Sequence, residues 1–150
     1  MRMAKRNVLV IGDLHEPFCL DEYLDWCKQQ YIYWGCTDVV FIGDIIDNHY
    51  SSYHETDADD NAPVNSEAPE TDADGLGGAD ELELAIKRIS RWYKAFPDAT
   101  VIIGNHDRMI MRKAQTSAIP SKWIKSYKDV LEVPNWKFVD RLVIDGVQYI

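Results

Sequence analysis

Nowhere in the 150 residues does an apolar run approach the roughly 20 that a membrane-spanning helix needs. The N-terminal segment MRMAKRNVLVIGD is basic, but its apolar run is too short for a signal peptide and flows directly into a motif. Cysteine is scarce. Cys19, Cys27 and Cys36 are odd in number, their spacings are not those of a zinc ribbon, and no partner cluster accompanies them. The expectation is free, partly buried thiols in a cytoplasmic protein with no membrane attachment. Basic residues are absent from Glu55 to Glu83, a stretch that carries 11 acids. The net charge of −9 is therefore local: the rest of the chain holds 14 acids against 16 bases, and Lys87 to Lys128 has 10 bases and 2 acids. That second half suits a polyanionic partner, although charge runs are more often solvated faces.

What is present is ordinary globular material, 46% hydrophobic and 27% charged, long enough for one domain with a core. NVLVIGD (7–13), DVVFIGD (38–44) and ATVIIGN (99–105) are short β-branched runs ended by glycine, the pattern of buried strands. Leu20, Leu24, Cys27 and Tyr31 recur at helical spacing, with Asp21 and Glu22 in the first turn and Gly35 as a stop signal. Leu82, Ile86, Ile89 and Tyr93 line a second helix that Pro97 ends. Continuous apolar strands joined by helices predict a parallel sheet. Two further helices are expected at about 107–116 and 121–130, then strands in WKFVD and LVIDGVQYI, with Asp145-Gly146 as a type I′ turn.

Residues 48–79 lack periodicity. ETDAD stands at 55–59 and again at 70–74, as in a tandem duplication, and 55–74 reads as an acidic disordered insertion in a single domain spanning 1–150. DADD and DADG lack the spacing of an EF-hand calcium loop.

The three strand ends carry the chemistry. The first delivers Asp13 and His15 in GDLHEP, the second Asp44 and Asp47 in GDIIDN, the third Asn105, His106 and Asp107 in GNHD. Ligands of open α/β sheets bind beyond the carboxyl ends of the strands, so these seven side chains should converge. Carboxylate, imidazole and carboxamide oxygen form a set suited to Mn²⁺, Fe, Zn²⁺ or Ni²⁺. Period two along an extended chain would place Asp13 and His15 on one side.

With DxH, GDxxD and GNHD in this order, the chain resembles the calcineurin-like metallophosphoesterase superfamily over nearly its whole length outside 55–74. DLHEPF, DNHYSSYH, DGLGGADELELAIKRISRWYKAFP and GNHDRMIMRKA resemble a subgroup often carried by phages and prophages. The resemblance implies an α/β fold, an αββα sandwich whose first sheet comes from a β-α-β-α-β unit and whose second is incomplete in this chain. It implies two divalent cations, Mn²⁺ foremost, with Asp13 and His15 on the first, Asp44 bridging both and Asn105 on the second. His106 would protonate the leaving oxygen, Asp47 would hydrogen-bond His106, and Asp107 would support the ligands from behind. Two cations roughly 3.5–4 Å apart lower the pKa of a bridging water and spread the charge of phosphoryl transfer.

The sequence departs from the family in places. Asn48 stands where phosphatases carry an Arg, and GNHD replaces the GNHE of protein Ser/Thr phosphatases. Arg108 and His54 are candidates for substrate contact. No histidine follows His106, so the family's later His and GHxH ligands are missing. The expectation is a chain truncated at its C-terminus that binds one metal weakly and turns over slowly. The activity expected is hydrolysis of phosphate mono- or diesters. A nuclease acting on DNA and a non-catalytic protein-binding scaffold are the alternatives; substrate and oligomeric state stay open.

Overall fold

The computed structural model describes residues 4–48 and 78–150. The three β-branched runs form strands β1 (Val8–Ile11), β2 (Asp38–Phe41) and β3 (Thr100–Ile102). A fourth, β4 (Lys137–Val139), joins them in a parallel sheet of order β1-β2-β3-β4. Val10 lies opposite Val40, Phe41 opposite Val101, and Val101 opposite Phe138.

Side chains alternate across this sheet as strand geometry requires. Leu9, Ile11, Val39, Phe41, Val101 and Phe138 face the main core. There they meet helices α1 (Asp21–Tyr33), through Leu24 and Cys27, and α2 (Gly78–Ala95), through Ala85, Ile89 and Trp92. Val8, Val40, Ile102 and Val139 face the other way, onto a small antiparallel hairpin of β5 (Leu142–Ile144) and β6 (Val147–Tyr149). That hairpin covers its face of the sheet only in part, so Val10 and Ile42 are 44% and 41% exposed. Asp145 and Gly146 have φ of 49° and 82°, the two positive values that a type I′ turn demands.

Helix α1 has an acidic first turn, and Gly35 follows its last residues at φ 56°, a conformation glycine takes without strain. Beyond β3, α3 (Met109–Thr116) starts two residues later than the sequence predicts, because 105–108 are taken up by a turn. The helix expected at 121–130 is a correction: the chain forms a 3₁₀ turn at Ser121–Trp123 and a single helical turn, α4 (Tyr127–Val130). Ile124 between them is extended, at ψ 132°, so no continuous helix can form. Among the described residues no helix is long and apolar enough to cross a membrane. The acidic segment 55–74, with its repeat, lies outside the described residues.

Candidate metal centre

The parallel pairing of β1 and β2 continues past the strands into both motifs. The N–H of His15 donates to Asp44 O (2.9 Å), that of Glu16 to Ile45 O (3.0 Å), and that of Asp47 to Glu16 O (3.0 Å). The two segments are thus laced together while their backbones twist into unusual conformations. Asp13, His15, Asp44 and Asn48 all have φ between 45° and 51°. Asn, Asp and His tolerate this left-handed region better than other non-glycine residues, but each such residue still costs of order 1–3 kcal/mol. Asp13 and His15 therefore do not share a side of an extended chain, as alternation would suggest. A left-handed turn brings them together, with His15 Nε2 4.0 Å from Asp13 Oδ1.

The third strand end is locked onto the second by Asp107. Its buried carboxylate accepts backbone N–H groups from Gly104 (2.9 Å), Asp44 (3.0 Å), Ile45 (3.1 Å) and Ile46 (3.4 Å). Burial pushes its carboxyl above the usual range, and the N–H groups of Gly104 and Ile46 pull the other way. Gly104 is required here: a Cβ would run into the Asp44 carboxylate and backbone nitrogen. Gly43, at φ 103°, is equally constrained, since its Cβ would come within 2.8 Å of the Gly104 Cα. The Asp44 carboxylate in turn accepts the His106 N–H at 2.9 Å.

Two overlapping groups of ligand atoms result, each within 4.8 Å of one another: Asp13, His15 and Asp44, and His15, Asp47 and His106. The histidines are ordered by their inner nitrogens. His15 Nδ1 lies 2.8 Å from Asp47 Oδ1, and His106 Nδ1 lies 2.7 Å from the Asp47 carbonyl oxygen. Both partners accept, so both Nδ1 atoms carry the proton and each Nε2 is left for other chemistry. A carboxylate behind a histidine is the usual support for an imidazole that binds a metal through its other nitrogen. The donor set fits a divalent cation at Asp13, His15 and Asp44. The two rings meet edge to face at 4.7 Å. The bond expected from Asp47 to His106 is made by the Asp47 backbone carbonyl, while the carboxylate, 3.7 Å from His106 Nδ1, serves His15.

The other expected residues are placed as follows. Asn105 sits exposed in the turn before α3, directly preceding His106. Asn48 is buried and donates through Nδ2 to His106 O at 2.9 Å, a structural bond rather than an open phosphate grip. Arg108 is paired with Asp140 at 2.5 Å and donates to Ile103 O at 3.4 Å. His54 lies outside the described residues.

Sequence reasoning missed Glu16 and Arg88. Glu16, next to His15, is only 2% exposed, and its carboxylate accepts from Arg88 Nε (2.6 Å) and Trp92 Nε1 (3.0 Å). Arg88 also donates to Cys19 O (2.6 Å) and to Asp21 (2.8 Å), and so clamps the β1 loop to α2. The signal was available: Arg88 stands inside the buried stripe of α2, flanked by Ala85, Ile89 and Trp92. The three cysteines are free, and burial pushes the thiols of Cys19 and Cys27 up to about 11, away from metal-ligating thiolate chemistry.

No curated protein and no solved structure matches the chain. The family of calcineurin-like phosphoesterases matches residues 6–148, a span that contains all three motif ends and the parallel sheet that carries them. The chain belongs to the calcineurin-like phosphoesterase family.

Proposed function

We propose that the chain is a metal-dependent phosphoesterase that hydrolyses phosphate mono- or diesters, with His106 as general acid. The observation that carries this reading is the Asp13–His15–Asp44 group set directly against His106, both imidazoles held by Asp47. Two divalent ions are proposed, Mn²⁺ foremost, the tighter held by Asp13, His15 and Asp44 and a weaker second by Asp44 and Asn105. Bound there, they would supply a water of lowered pKa and neutralise charge on the phosphoryl oxygens.

The chain's own residues do the rest. His106 holds one proton on Nδ1 against the Asp47 carbonyl, so the proton it gives to a departing ester oxygen must come from Nε2. The Asp47 carboxylate, 3.7 Å from that ring, offers counter-charge to the imidazolium. Asp44 positions His106 by accepting its backbone N–H. Asp107 and Gly104 keep Asp44 where it can do so.

The nuclease reading has less to rest on. In the basic half, Arg88 and Arg91 pair with Asp21, and Arg108 pairs with Asp140. Four strained backbone positions at the motifs also argue against a decayed scaffold, in which nothing would maintain them. The cytoplasmic location and the phage-borne subgroup stand as proposals on the sequence motifs alone.

The test is hydrolysis of bis(4-nitrophenyl) phosphate with added Mn²⁺, measured beside metal content. His106→Ala should lower turnover by roughly 10²–10⁴ while sparing metal occupancy, whereas Asp44→Ala should strip the metal. Equal metal loss in both variants would contradict the role given to His106.

A further inference from the structure

Asp13 and His15 also form the inner end of an open groove of about 610 Å³, within the range of small-molecule sites. The groove runs from the metal ligands onto the first turns of α1, over Phe18, Leu20, Tyr23 and Trp26. Its floor is aromatic and fixed. Tyr23 packs edge to face on buried Trp92, with ring centroids 5.6 Å apart, and Trp26 stacks on Tyr23 at 24° with centroids 6.2 Å apart. Trp26 is 54% exposed, so its indole adds little to the core and presents a π surface to solvent.

We infer that this groove binds the planar base of a mononucleotide whose phosphate lies at Asp13 and His15. This rests on the phosphoesterase reading for the phosphate end only. Aromatic side chains beside a phosphate site are stacking platforms for bases. Charge selects the size of the ligand. Beyond Asp13 and His15, Glu22 is the one charged side chain lining the groove among the described residues, so a second phosphate running along it would be repelled. A neutral base meets no such penalty, and its exocyclic amino groups can donate to the Glu22 carboxylate at the rim.

Calorimetry of the protein with adenosine monophosphate, adenosine and methyl phosphate, each with and without Mn²⁺, tests this. With Mn²⁺, adenosine monophosphate should bind at least tenfold more tightly than methyl phosphate. Trp26→Ala should remove that advantage and leave methyl phosphate unchanged, and Trp26→Phe should retain most of it. Equal affinities for the two phosphates, or indifference to Trp26→Ala, would overturn the inference. Tighter binding of a short oligodeoxyadenylate than of the mononucleotide would overturn its mononucleotide part. If adenosine binds in a Trp26-dependent way while Mn²⁺ has no effect on either phosphate, the groove stands and the phosphoesterase reading falls.

Discussion

At the scale of single residues, the site depends on contacts that leave no room for substitution. Gly104→Ala forces a methyl group into the Asp44 carboxylate and backbone. Overpacking of this kind costs about 1–3 kcal/mol, and here it also displaces the Asp44 carboxylate. Denaturation together with Mn²⁺ titration should show both losses; a variant with wild-type metal affinity would mean that Asp44 is not held where the structure puts it. Asp107→Asn is a finer test. A carboxamide offers one oxygen where four N–H groups now find two, and its NH₂ faces two donors. Leaving those unsatisfied should cost at least about 2 kcal/mol. The thiols give a prediction of opposite character. The folded values of about 11 for Cys19 and Cys27 lie above the ordinary 9.0, so folding favours the neutral thiol. Their contribution is complete below pH 9 and is lost as pH rises towards 11. Urea midpoints should therefore fall between pH 9 and 11, and a Cys19→Ser/Cys27→Ala double variant should show a flatter profile. An unchanged slope in that variant would assign the alkaline loss to other groups.

At the scale of elements, the β1 loop is held against α2 by one arginine. Arg88→Ala would leave the Glu16 carboxylate buried with Trp92 Nε1 as its remaining partner among these contacts. Breaking a buried pair on one side costs about 3–5 kcal/mol, a melting-temperature loss on the order of 10 °C at this size. Adding Glu16→Gln should recover part of it, because the stranded charge is gone. If the double variant is no more stable than Arg88→Ala, the ion pair is not what holds the loop. Much of this architecture was legible in the sequence. The strands, α1 and its glycine stop, the stripe of α2 and the Asp145-Gly146 turn follow from short-range pattern, because period and turn chemistry are local. The left-handed backbone at Asp13, His15 and Asp44 was not, since only cross-strand lacing over some thirty residues imposes it. For the same reason the motif shows that Asp47 meets His106, but not that it does so through its backbone carbonyl while its carboxylate serves His15.

At the scale of the whole molecule, a four-stranded parallel sheet is clothed, among the described residues, by helices on one side and by one hairpin on the other. Val10, Ile42, Val143 and Val147 are left exposed around that hairpin. Apolar surface of this kind drives association. Sedimentation velocity should show mass rising with concentration, and a Val143→Lys/Val147→Lys variant should suppress the rise; a concentration-independent monomer would show that the face is tolerated in water. The same sheet brings three chain segments to one edge, and the central claim is that this edge is a metal centre built around Asp44. Titration calorimetry with Mn²⁺ tests it most directly. The wild-type chain should bind Mn²⁺, Asp44→Ala should abolish binding, and His106→Ala should preserve it. Absence of binding by the wild type, or binding that survives Asp44→Ala, would contradict it.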